Sequence, residues 1–328
     1  SAYNVEMKKL LLVFVLVFQV SGLWAIDLLD LRVFPLFDSQ SVAFEGVIVN
    51  NSYKSEGTGL RAKLSGLRSK WLNSGKVVVE SDGQKIKANI NDGEFSGVIK
   101  VSSLASFTLC VYHDEKKLYV ENFSFPDKAD FIIVSDIDDT ILVTEVTSRL
   151  KMAYNSMLKD VDKRQAVSGT PDFYREISSG ATGMGNPHFV YLSSSPAFLS
   201  RSLKAFLVRN KFPPGTLVLK KSLTSGDHEG HKTSWLKKVL GRYAGKPLLL
   251  FGDSGEKDPF IYRSFVEDKD NPSQVKGIII HEVTSRSEKI ESLREFRDFL
   301  LKKFKIPFIY WSKIAELRQN MRDDGLLK

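Results

Sequence analysis

The chain has 328 residues, long enough for two domains that each bury a core. Its 42% hydrophobic and 26% charged residues exclude a disordered chain and one embedded throughout in a membrane. The formal net charge of +8 favours acidic partners such as phosphate esters or an anionic lipid surface; without zinc-finger spacing or an RNP-like pattern, no nucleic-acid partner is expected.

In chain order, Met7 is followed by Lys8 and Lys9, an apolar run over 10–20, and the small residues Ser21, Gly22 and Ala25. This order reads as a secretory leader over residues 1–25, with 1–6 as an upstream extension. The apolar run is short for a membrane span. The remainder is expected in an exported compartment, periplasmic or secreted, and tethered to a membrane if the leader is retained. Residues 27–126 then hold short β-type runs at 41–50, 75–80, 85–90, 95–101, 107–112 and 117–123, separated by turn signals such as Asp82-Gly83 and Asp92-Gly93. That spacing predicts a small accessory β-sandwich. It contains no catalytic constellation. Cys110, the only cysteine, excludes an intramolecular disulfide and is expected in the core.

From residue 127 to 328 the pattern is α/β. Wholly apolar runs at 131–135, 189–192, 217–219, 248–251 and 275–280 read as strands buried on both faces of a parallel sheet. Helical stripes separate them. One opens with Ser195-Pro196 as N-cap and first residue; another carries Trp235, Leu236, Val239 and Leu240 and stops at Gly241. A third opens at Asp258-Pro259, and 288–303 reads as an amphipathic helix. The fold class expected is therefore a doubly wound parallel sheet with flanking helices behind a β-sandwich.

Three of the apolar runs end in polar residues suited to phosphoryl transfer: Asp136-Ile137-Asp138-Asp139-Thr140, Ser193-Ser194-Ser195, and Gly252-Asp253 leading to Asp258. Ligands of open α/β sheets bind at the carboxyl ends of the strands. Asp136 and Asp138, two positions apart, can converge on one point, and carboxylates that close raise one another's pKa unless a cation intervenes. Asp253 from another strand completes an all-oxygen donor set, which suits magnesium better than zinc. Asp139 reads as a cap or turn residue. His228 and His231 lie in a loop-like stretch without a third ligand. Lys220-Lys221 offers an alternative to Lys232 as a phosphate-binding lysine.

These same residues resemble the motifs of the haloacid dehalogenase superfamily: Asp136-x-Asp138-x-Thr140 the first, Ser193 the second, Lys232 the third, Gly252-Asp253 with Asp258 the fourth. The wording is closer to one member family, the catalytic domain of actin-patch-associated phosphatidate phosphatases. The segments that carry it are Ser135-Asp-Ile-Asp-Asp-Thr-Ile141, Val146-Thr-Ser-Arg-Leu150, Tyr191-Leu-Ser-Ser-Ser-Pro196, Phe212-Pro-Pro-Gly215, His231-Lys232 and Gly252-Asp-Ser-Gly-Glu-Lys-Asp-Pro259. The resemblance implies a haloacid-dehalogenase-like fold for this part. It implies Asp136 as nucleophile and Asp138 as general acid and base. Thr140, Ser193 and Lys232 would hold phosphate, with Asp136, the backbone carbonyl of Asp138 and Asp253 at magnesium and Asp258 and Arg149 in support. The dehalogenases of the superfamily lack a carboxylate where Asp138 stands and the pump ATPases carry Thr there, which points to a phosphatase. The expected activity is hydrolysis of phosphatidate or a related lipid phosphate to diacylglycerol and phosphate, with peripheral contact to an anionic membrane. Hydrolysis of soluble or protein phosphomonoesters is the alternative, and an exported binding protein without catalysis is a third reading.

Overall fold

The computed structural model describes residues 25–51, 70–143, 164–221, 228–255, 257–268, 274–283 and 287–328. Residues 1–24 of the expected leader and the whole Val146–Leu150 segment, Arg149 included, lie outside the described residues.

Strands β1 (Ala25–Leu36), β2 (Ser41–Asn51), β3 (Lys70–Trp71), β4 (Ser74–Ser81), β5 (Gln84–Asn91), β6 (Glu94–Lys100), β7 (Phe107–His113) and β8 (Lys116–Phe123) form one eight-stranded antiparallel sheet. Its path is β1-β2-β6-β5-β4-β7-β8, with β3 on β2. Strands β2, β4, β5, β6 and β7 alternate, sending Val42, Phe44, Val77, Val79, Ile90, Phe95, Leu109 and Val111 into one core. The two ends of the path approach each other. Lys204 bridges them, donating to the Leu31 carbonyl on β1 and to Glu121 on β8.

The second sheet is six-stranded and parallel: β9 (Phe131–Ser135), β10 (Pro187–Pro196), β11 (Gly215–Lys220), β12 (Leu248–Asp253), β13 (Val275–His281) and β14 (Phe308–Trp311), in the order β11-β10-β9-β12-β13-β14. Six α-helices are described: α1 (Thr170–Ser178), α2 (Ser200–Arg209), α3 (His228–Arg242), α4 (Asp258–Glu267), α5 (Ser287–Phe304) and α6 (Ile314–Asp323). Phe173, Leu203, Phe206 and Leu317 of α1, α2 and α6 pack on one face of the sheet with Ile133 and Ile279. Leu236, Val239, Ile261, Phe265, Phe296 and Leu300 of α3, α4 and α5 pack on the other with Ile132, Val134 and Leu250. Covering both faces is what makes β9 and β12 buried at every position.

The expected fold class is corrected. The chain is not a haloacid-dehalogenase-like α/β molecule behind a small β-sandwich: strand residues outnumber helical ones, and the larger sheet is antiparallel. That sheet is a single barrel-like path rather than two stacked layers. Continuous apolar runs make the parallel strands conspicuous in the sequence, whereas the antiparallel strands alternate and carry a weaker signal. Locally, Gly241 does not end its helix, because α3 continues to Arg242 and the chain turns at Gly245 with φ +82°. His228–Lys232 is helical, not a loop. Cys110 is half-buried. Among the described residues, no helix is long and apolar enough to cross a membrane.

The two sheets share core. Phe34 and Ala43 belong to the same cluster as Ile132, Val190 and Trp235. Beside them His188 is fully buried, with the rings of Phe37, Phe125 and Tyr243 at 5.9, 5.3 and 5.6 Å and the Thr216 hydroxyl at 3.2 Å. Burial pushes its imidazole down from 6.5 to about 3. The unfolded chain thus takes up a proton there that the folded chain refuses. Its contribution to stability is intact above about pH 6.5 and is lost progressively as pH falls towards 3. In urea denaturation between pH 6 and 4, His188→Gln should lose stability less steeply than wild type, by up to about 1.4 kcal/mol per pH unit. Parallel curves would show that His188 is not buried neutral.

Candidate active site

The order β10-β9-β12 places the reversal of chain direction across the sheet at β9, because β10 and β11 lie to one side and β12, β13 and β14 to the other. A crevice opens at the carboxyl ends of the strands flanking such a switch point. Asp136 follows β9 directly, and its N–H donates to the Phe251 carbonyl at 2.9 Å, which extends pairing with β12 by one residue. The loop then doubles back. Ile141 and Leu142 both donate to the Ile137 carbonyl at 3.0 Å, and the three apolar side chains are buried. Asp139 takes φ +55°, a left-handed conformation that Asp tolerates. Its carbonyl lies 2.6 Å from His281 Nδ1, and the His281 ring sits 4.4 Å from that of Trp311. Ser135 Oγ donates to the Asp136 carbonyl at 2.7 Å and meets the Tyr174 hydroxyl at 2.9 Å.

Seven of the eight expected site residues converge here. Lys232 Nζ stands 2.8 Å from Asp136 Oδ1 and also bonds Asp258 Oδ1. Thr140 Oγ1 donates to Asp136 Oδ2 at 3.1 Å. Ser193 Oγ donates to Asp138 Oδ2 at 3.1 Å. Asp253 is fully buried; its N–H donates to Asp258 Oδ2 at 3.3 Å, and its Oδ1 accepts from the Gly255 N–H. Of the lysines weighed against Lys232, Lys221 reaches out to Asp92 and Glu94 on the antiparallel sheet.

The carboxylates that the fold gathers most closely are Asp136, Asp253 and Asp258, all buried, with one oxygen of each within 4.8 Å of the others. Asp138, expected at the metal through its backbone carbonyl, turns its carboxylate to hydroxyls. Besides Ser193, Ser195 donates to the same Oδ2 at 3.1 Å, and Ser193 Oγ accepts from the Ser195 N–H at 2.9 Å. Burial raises the Asp138 pKa, against the pull of those hydroxyl bonds and of Lys232. Ser195 was read as a helix cap, but β10 runs on to Pro196 and α2 opens only at Ser200. The run of three serines after an apolar strand was the available signal for its role.

Three buried carboxylates beside one ammonium leave an excess of negative charge that burial alone does not sustain. An all-oxygen donor set of this charge fits a hard divalent cation. Gly252 makes room for the Asp258 carboxylate: a Cβ there would lie 2.6 Å from Asp258 Oδ2 and 2.7 Å from Asp258 Cβ. Gly252→Ala should lower the free energy of urea unfolding by about 1–3 kcal/mol, as overpacked sites do. Unchanged stability would mean that Asp258 is not wedged against this backbone.

Comparison with known proteins agrees with the resemblance read from the motifs. Residues 131–282 match the family model described as phosphatidate phosphatase APP1, catalytic domain. A relative named phosphatidate phosphatase APP1 from Saccharomyces cerevisiae is 32% identical over 155 residues, which is 45% of this chain and 25% of the yeast protein. An uncharacterized protein of Schizosaccharomyces pombe is 26% identical over 176 residues, 52% of this chain and 28% of its own. The chain thus spans little more than a quarter of the length of these relatives. A glycosyl hydrolase family 2 structure from Bacteroides cellulosilyticus aligns with 88% of this chain and 44% of its own at 8% identity, with a TM-score of only 0.24.

Proposed function

We propose that the segment matching the phosphatidate phosphatase catalytic domain makes this chain a magnesium-dependent phosphomonoester hydrolase acting on phosphatidate or a related lipid phosphate. The observation that carries this reading is the crevice where Asp136, held by Lys232 and Thr140, meets two further buried carboxylates and the hydroxyl-bound Asp138. Asp136, Asp253 and Asp258 are the residues that would hold the cation. When bound, it supplies Lewis-acid screening between a carboxylate nucleophile and the phosphate oxygens.

The chain's own groups divide the work. Asp136 attacks phosphorus, the bond to the ester oxygen breaks, and an aspartyl-phosphate forms on its carboxylate. Thr140 and Lys232 keep that carboxylate oriented, and the Lys232 ammonium offsets charge as it spreads over the phosphoryl oxygens. Asp138, whose burial favours its protonated form, gives its proton to the departing alkoxide, which leaves as diacylglycerol. It then takes a proton from the water that cleaves the phosphorus–Asp136 bond and releases phosphate. Ser193 and Ser195 fix the Asp138 carboxyl in one orientation through both steps.

Phosphate release from mixed micelles of phosphatidate, with magnesium and with chelator, tests this directly. Wild type should require the metal, and Asp136→Asn should lose at least about 10³-fold in kcat, as enzymes do when the nucleophile is removed. Hydrolysis of soluble esters alone would keep the mechanism and move the substrate class to soluble or protein phosphomonoesters. No release from any phosphomonoester would sink the enzyme reading. Independently of turnover, magnesium at 100 times its Kd should stabilise the fold by about 2.7 kcal/mol. Asp253→Asn should abolish that increment in a thermal-shift series; an undiminished increment would place the cation elsewhere.

A further inference from the structure

We infer that Asp30 and Arg32 of the antiparallel sheet are positioning residues for the wall of the site that carries Ser193, Ser195 and Lys232. The sheet that precedes the matched family segment is then part of the catalytic apparatus. The inference rests on the phosphatase reading of that site.

It begins with a defect in β1. The β1–β2 register shifts between Leu28 and Asp30, a bulge that inserts Leu29. Before it Leu28 faces the antiparallel core; after it Leu31 and Val33 do. The bulge therefore turns Asp30, Arg32 and Phe34 away from that core and towards the parallel half. All three are buried there.

Their partners are α3, which carries Lys232, and the two elements that adjoin β10, the strand of Ser193 and Ser195: β11 beside it and α2 after it. Asp30 Oδ1 accepts from Ser200 Oγ at 2.7 Å, and Ser200 opens α2 shortly after Ser195. Asp30 Oδ2 accepts from Arg32 Nε at 2.9 Å. The same guanidinium donates through a terminal nitrogen to the Leu219 carbonyl at 3.0 Å, near the end of β11, the strand paired with β10. It also lies 5.2 Å from the centroid of the Trp235 ring on α3, one helical turn beyond Lys232. One buried ion pair therefore touches α2, β11 and α3 at once. Flanking contacts repeat the pattern: Arg201 donates to Asp27, and Thr216 Oγ1 donates to the Val33 carbonyl.

Energetics favour a positional role over a stabilising one. Arg32 and Asp30 have side-chain exposures of 4% and 0%, and a buried ion pair contributes little beyond what well-packed apolar groups would. What it adds is direction, since the planar guanidinium accepts few geometries. Near-attack alignment is sensitive to displacements of about an ångström.

The test is steady-state phosphate release by the full chain from phosphatidate micelles with magnesium, measured well below each variant's melting temperature. Arg32→Met should lower kcat about 10-fold or more with KM within about twofold of wild type, the pattern of contacts that act in the transition state. Arg32→Lys should recover part of that loss. Arg242→Met breaks the 3.0 Å pair with Glu45 at the outer edge of the same junction and should keep wild-type kcat. Folded Arg32→Met with wild-type kcat would overturn the inference while leaving the phosphatase reading intact. So would an equal loss in Arg242→Met. Should Arg32→Met not fold, Ser200→Ala removes a single hydroxyl from the tie to α2. A kcat about threefold lower then supports the inference on the same reasoning, and an unchanged one overturns it. Absence of release by wild type would be a different failure, that of the phosphatase reading itself.

Discussion

The Lys232 ammonium, 2% exposed between Asp136 and Asp258, is the contact on which the arrangement of the parallel half depends. A buried cation of this kind is tolerable only with its partners in place, and each partner comes from a different element. Asp136 follows β9, Asp258 opens α4, and Lys232 itself sits on α3. The apolar packing of Leu236, Val239, Ile261 and Phe265 against Ile132 and Leu250 holds those elements at the distance the ion pairs need. Asp258 extends the tie to the backbone of Asp253. Gly252 lets that happen, because no larger residue could let β12 pass so near the Asp258 carboxylate.

Asp136 and Asp138, two residues apart in one loop, live in opposite surroundings. Asp136 has a cation on one oxygen and a hydroxyl on the other. Asp138 has two serine hydroxyls on a single oxygen and burial as its dominant influence. Environments that push two carboxyl groups apart in this way separate a nucleophile from an acid without any difference in residue type. The separation is made by backbone. Asp139 in the left-handed region reverses the loop just after Asp138, and the His281 ring closes on its carbonyl.

What could be read in the sequence follows from how each part meets solvent. Strands such as 131–135 and 248–251 are continuous apolar runs because helices cover both faces, so the parallel sheet and the polar residues at its carboxyl edge were visible together. The antiparallel sheet was underweighted because its strands show only alternation, and β1 was missed altogether. Its Leu28-Leu29-Asp30-Leu31-Arg32 stretch breaks the period of two at the bulge. Its outward residues are charged yet buried, a combination that no local pattern announces. Ser195 was legible as a residue but not as a role, since Ser-Pro signals a helix start far more often than a strand end. Lys232 on α3 was reached through a motif, while the stretch around it looked like loop.

The two polar clusters obey one rule. At the site and at the sheet junction alike, most of the buried charged groups meet a partner on another element. Asp30 meets α2, Arg32 meets β11 and α3, Lys232 on α3 meets β9 and α4, and Asp138 meets the end of β10. An unpaired buried charge would cost several kcal/mol, so no single element can shift without stranding a group on its neighbour. Apolar contacts alone would allow sliding, because they are indifferent to direction. Directional contacts between buried groups are not, and here they tie β1 to α2, β11 and α3 at the junction and α3 to β9 and α4 at the site.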